Sequence, residues 1–136
     1  MRIIIVLILC LVPLGCATSQ RELLATGESQ LALRSMQTRA FDTTNVKGTV
    51  RIVMATLQDL GFVLDQANVE LGSVSGTKLD RYALRMTVIV SARGEKQVNV
   101  RANAQYELKA VEDPVPYQQF FQALEKAMFL TAQQVE

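Results

Sequence analysis

The groups able to do chemistry in this chain are few: two cysteines, Cys10 and Cys16, serines and threonines spread along it, adjacent charged pairs, and no histidine. Without an imidazole there is no His-based triad, no His-dependent general acid–base step and no ordinary zinc site. Of these, Asp80-Arg81 and Glu112-Asp113 are neighbours in sequence, so neither pair shares one face of a strand or helix. Both read as turn or cap residues. Gly72, Ser73, Ser75 and Gly76 suggest a small-residue loop, but no Gly-Lys-Ser/Thr follows and no helix starts there, so it is not a phosphate cradle. Lys78, Asp80 and Arg81 read as a solvated loop. The residues predict no enzyme: no catalytic group, no metal site and no cofactor site.

Charge narrows the partners. The chain carries 14 Lys and Arg against 13 Asp and Glu, a formal net charge of +1 over 136 residues. Losing Arg2 with an N-terminal signal would leave 13 against 13. A neutral chain lacks the cation excess on which nucleic-acid affinity rests, so nucleic acid is not an expected partner.

Cys16 sits at a distinctive place. Met1-Arg2 is followed by Ile3 to Leu14 with no polar side chain, then by Gly15-Cys16. As a helix those residues would span about 18 Å at 1.5 Å per residue. The hydrocarbon core of a bilayer is about 30 Å thick, so the run predicts an export signal rather than a spanning helix. Its ending, Leu14-Gly15-Cys16 before Ala17-Thr18-Ser19-Gln20, resembles a bacterial lipoprotein signal, with Pro13 and Leu14 where that family has leucine and a small residue. The resemblance implies cleavage before Cys16, acylation of Cys16 as a membrane anchor and, with Ala17 rather than Asp next, residence on the outer membrane facing the periplasm. Ordinary cleavage after Ala17, with Gly15 and Ala17 as the small pair, is the alternative. Cys10 would leave with the signal, so no intramolecular disulfide is expected.

The rest of the chain must then supply one domain. Residues 1–15 read as the signal, 16–30 as the lipidated N-terminus and tether, and 31–136 as a single α+β domain. The polar tether would average about 20 Å end to end as a flexible coil. Leu31 to Phe41 reads as a first strand, although neither alternating set in it is cleanly apolar. Asp42 to Asn45 then offers helix N-caps, and Val46, Val50, Val53, Leu57 and Leu60 give one buried helical stripe, closed by Gly61 with Phe62 folding back on Leu57.

Strands follow at Phe62–Gln66, Val69–Lys78, with Gly72 and Gly76 as bends, Tyr82–Ser91 and Gln97–Leu108. In the third of these Tyr82, Leu84, Met86, Val88 and Val90 share a face. In the last, Val98, Val100, Ala102, Ala104, Tyr106 and Leu108 are expected inward, and Gln97, Asn99, Arg101, Asn103, Gln105 and Glu107 outward. Asp113-Pro114-Val115-Pro116 starts a second helix with Tyr117, Phe121, Leu124 and Met128 as its stripe. The order β-α-β-β-β-β-α predicts a two-layer sandwich: an antiparallel sheet of four or five strands with both helices on one face.

That arrangement leaves the other sheet face open, and Asn99, Arg101 and Asn103 at its centre are the candidate partner contacts. Phe120 is a further candidate, since consecutive helical residues are about 100° apart and it would lie at the margin of the stripe.

The segments QTRAFD, LQDLGF and YQQFFQALEKAMFL resemble a poorly characterised set of Gram-negative outer-membrane lipoproteins. The element order is similar to the helix-grip modules of the accessory lipoprotein C of the outer-membrane β-barrel assembly machine, which implies a helix-grip-like fold. Together these resemblances imply an accessory protein of a cell-envelope assembly, efflux or transport machine, with an envelope protein as partner. A groove between helices and sheet, opened by Gly72 and Gly76 to hold a lipid or an apolar peptide, is the second expectation.

Overall fold

The fold was obtained as a computed structural model that describes residue 27 and residues 29–134. Residues 1–15, expected to be a signal, and Cys16 lie outside the described residues. The chain divides into two units, Met1–Ala32 and Leu33–Glu136. Of the first unit, the described residues 27 and 29–32 are helical; in the second, residues 33–37 form helix α1.

Helix α2 (Val46–Asp59) forms where the stripe and caps place it. The Asn45 side chain accepts the Gly48 N–H at 2.8 Å, satisfying one of the donors that a helix start leaves free. Val50, Val53 and Leu57 are completely buried. Thr49 and Thr56 are buried as well, which their hydroxyls tolerate by donating back to the Asn45 and Ile52 carbonyls at 2.9 and 2.8 Å. At the other end Gly61 takes φ of 87°, the Phe62 N–H reaches the Leu57 carbonyl and the Gly61 N–H reaches the Gln58 carbonyl, both at 2.9 Å. That pair of bonds is a Schellman cap, and it turns Phe62 back into the core.

The sheet has six strands: β1 (Thr38–Phe41), β2 (Val63–Asn68), β3 (Ser73–Leu79), β4 (Ala83–Arg93), β5 (Gln97–Tyr106) and β6 (Lys109–Ala110). All pairings are antiparallel, in the order β1-β5-β4-β3-β2, with β6 also on β5. The second long helix, α3 (Pro114–Gln133), starts at an Asp113 cap whose carboxylate accepts the Val115 N–H at 2.9 Å. α2 packs against α3 and across β2, β3 and β4, and α3 packs on β5. The fold is therefore an α+β two-layer sandwich. Its core is Val74, Met86, Val88, Val90, Val98, Val100, Ala102 and Ala104 from the sheet, against Val50, Val53, Leu57, Tyr117, Phe120, Phe121 and Leu124 from the helices.

Three local expectations need correction. Residues 31–37 are helix, not strand, and β1 is only four residues long. Leu33 and Met36 are half-buried and Gln37 is buried, a three-and-four spacing that fits a helix and fits no strand. Leu108 does not face inward: β5 stops at Tyr106, which keeps the inner side opposite Leu84 but is 41% exposed at the strand end, Glu107 adopts a left-handed φ of 53°, and Leu108 stands 96% exposed in the turn to β6. Tyr82 lies in the β3–β4 turn, exposed, rather than on the inner face of β4.

One buried polar cluster ties these parts together. The Tyr117 hydroxyl donates to the Val111 carbonyl at 2.7 Å and accepts from the Ala104 N–H at 3.2 Å and Gln37 Nε2 at 3.3 Å. It joins the end of α1, strand β5 and the loop before α3, and it satisfies groups that would each cost about 1–3 kcal/mol if buried unpaired.

Candidate functional site

Strand alternation sends every second side chain of β5 away from the helices. There Gln97, Asn99, Asn103 and Gln105 are half-buried and Arg101 is exposed, while Val98, Val100, Ala102 and Ala104 between them are buried. The register extends this into rows across the sheet. Thr38, Arg101, Ile89 and Ser73 stand side by side, flanked by Ala40, Asn99 and Ser91 on one side and by Asn103, Thr87, Ser75 and Gln66 on the other. None of these side chains is buried. Around Arg101 the face is built of hydroxyls and amides, with one exposed isoleucine, Ile89, beside it.

Its charges are unequally satisfied. A bulge in β2 turns Asp65 onto this face, where its carboxylate accepts the Thr77 hydroxyl at 2.7 Å and sits 3.4 Å from Arg85 Nε. Arg85 is thereby paired. Arg101 has no ion pair among the described residues, its cross-strand neighbours being Thr38 and Ile89. A shallow trough of about 500 Å³ runs beside it, lined by Asp65, Gln66, Ser73, Ser75, Arg85 and Thr87. Such a surface can offer many hydrogen bonds and the Arg101 guanidinium to a partner.

Asn99, Arg101 and Asn103 thus come together on one solvent-facing row. Phe120 does not join them, nor does it reach the surface. It is completely buried, edge-to-face with Phe121 at a centroid distance of 5.1 Å. The expectation placed it at the margin of the stripe; α3 touches both α2 and β5, so its covered sector is wide enough to hold two adjacent phenylalanines. Cys16 lies outside the described residues.

No protein-family model and no curated protein matches this chain.

The remaining chemical candidates resolve into structural roles. Asp113 caps α3. Ser75 and Lys78 have the Ser-x-x-Lys spacing, but both are on β3, where residues three apart point to opposite faces, so they cannot meet. Gly72 and Gly76 do not open a groove. A Cβ on Gly72 would fall 2.2 Å from the Val90 carbonyl oxygen, and one on Gly76 would crowd the Val63 carbonyl oxygen at 3.1 Å and Phe62 Cβ at 3.3 Å. They admit close packing of neighbouring chain. No helix among the described residues is long and apolar enough to cross a membrane, and none of their His, Cys, Asp or Glu side chains group to hold a metal.

Proposed function

We propose that this chain is a lipid-anchored accessory protein of a Gram-negative cell-envelope assembly, efflux or transport machine, held on the outer membrane through acylated Cys16 and facing the periplasm. It binds a partner protein with the open face of its sheet. The observation that carries the contact is the row Asn99, Arg101 and Asn103, a surface without a buried residue around an arginine that has no ion pair among the described residues. Arginine is the charged residue most enriched in interfaces, and amide-rich surroundings supply hydrogen bonds without the desolvation cost of more charges. The anchor rests on the resemblance of Leu14-Gly15-Cys16 to a lipoprotein signal, and the envelope setting on the family resemblance of the three longer segments.

The anchor makes a first prediction. Cys16→Ser gives a soluble product or an unprocessed precursor, read by membrane fractionation and gel mobility; processed protein still in the outer-membrane fraction would contradict the lipoprotein reading. The contact makes a second. Arg101→Glu leaves stability within about 0.5 kcal/mol, as exposed substitutions usually do. It lowers recovery of the partner from affinity-purified, detergent-solubilised envelopes, and unchanged recovery counts against the open face.

A second reading, a module that binds an apolar group between helices and sheet, is favoured by one cavity. About 290 Å³ of space lies at the end of the sheet, between the end of α2, the start of α3 and the ends of β3, β4 and β5.

A further inference from the structure

We infer that this end cavity is a recognition pocket for one apolar side chain of a polypeptide partner, an inference that rests on the binding-groove reading and names its occupant. Its inner wall is Leu60, Phe62 and Leu84, half-buried or buried. Its mouth is aromatic: Tyr82 and Tyr106 meet edge-to-face at 6.3 Å, and both are exposed. Val115, on the first turn of α3, closes the third side and is 47% exposed. An apolar hollow with an exposed aromatic mouth is the arrangement that anchors the buried side chains of protein interfaces.

Charge and size select the occupant. The rim carries Lys78 and Arg81 against Asp80 and Asp113, two of each sign. Lys78 runs past Gly61 at the C-terminal end of α2, its Cε within 3.6 Å of where a Cβ on that glycine would stand, so its cation faces the negative end of the helix. Asp113 is engaged at the start of α3, accepting the Val115 N–H. An anionic lipid headgroup would meet two carboxylates as well as two cations on this rim. A neutral side chain meets no such conflict, and the carbonyls and amides of its own backbone complement a rim of mixed sign. The volume is at the lower bound of roughly 300–1,000 Å³ found for pockets that hold drug-sized ligands, which suits a single side chain better than the acyl chains of a lipid.

The chain has no tryptophan, so a Tyr82→Trp variant carries a single reporter at the pocket mouth. The full chain is reconstituted in lipid nanodiscs and titrated with N-acetyl-Gly-Phe-Gly amide, and with the Gly-Ser-Gly analogue. The expected result is a saturable blue shift for the phenylalanine peptide alone, with Kd of about 1 mM, as befits one anchoring side chain. Adding the exposed-site substitution Val115→Lys weakens it about tenfold or more by blocking the mouth. An equal response to both peptides, or one that Val115→Lys does not change, overturns the proposal. Nanodiscs with brominated acyl chains separate the occupants: strong quenching without a peptide response overturns the proposal and leaves the groove reading standing as a lipid site. Neither quenching nor a peptide response overturns both.

Discussion

Phe120→Ala should lower the stability of the domain by about 3–5 kcal/mol, the range for deleting a fully buried aromatic ring. The side chain is completely buried and packs edge-to-face with Phe121, so the loss includes transfer of the ring, the void left behind and an aromatic contact worth about 0.5–1.5 kcal/mol. Helix α3 touches both α2 and β5, and its neighbours cannot collapse into the space without shifting one of them. Denaturant titration of the full chain reads the effect. A change within about 0.5 kcal/mol would mean the ring is at the surface after all, where truncation usually costs that little.

The matching expectation on the other helix is a loss of about 2–5 kcal/mol for Leu57→Ala. Leu57 is also completely buried, and its carbonyl accepts the Phe62 N–H that closes the Schellman cap. Truncation empties the space beneath the chain where it turns from α2 into β2. Domains of this kind hold about 5–15 kcal/mol in total, so either variant removes a large share. A melting temperature unchanged within about 2 °C would show α2 facing solvent and would break the two-layer arrangement.

What the sequence disclosed and what it hid follow from how local each signal is. α2 was legible because stripe, N-cap and C-cap all lie within a short segment and agree with one another. The inner face of β5 was legible by strict alternation from Val98 to Ala104. That alternation continues past the end of the strand, and nothing marked Glu107 as a left-handed residue in place of the usual glycine, so Leu108 was misplaced and the exposure of Tyr106 at the strand end was missed. α1 was missed because only Leu33 and Met36 mark its apolar side, and its third inward residue is a glutamine. The burial of Gln37 is intelligible only through the Tyr117 hydroxyl, 80 positions away.

The same distinction applies to the sites. Asn99, Arg101 and Asn103 are an i, i+2 set on one strand and could be read directly. Their neighbours Thr38, Ile89 and Ser73 come from three other strands and need the register. The end pocket draws on the end of α2, three strand ends, a turn and the first turns of α3, and no segment of sequence contains enough of it to be recognised. Lys78, Asp80 and Arg81, read as a solvated loop, are part of its rim.

The claim that the open sheet face meets a protein partner is tested most directly by photo-crosslinking in intact cells from position 101. Position 122, exposed on α3 on the opposite side of the molecule, serves as the comparison. Discrete crosslinks to one envelope protein from position 101, and none to it from position 122, are the predicted result. Crosslinks to that partner from position 122 with none from position 101 would place the contact on the helical side and contradict the account.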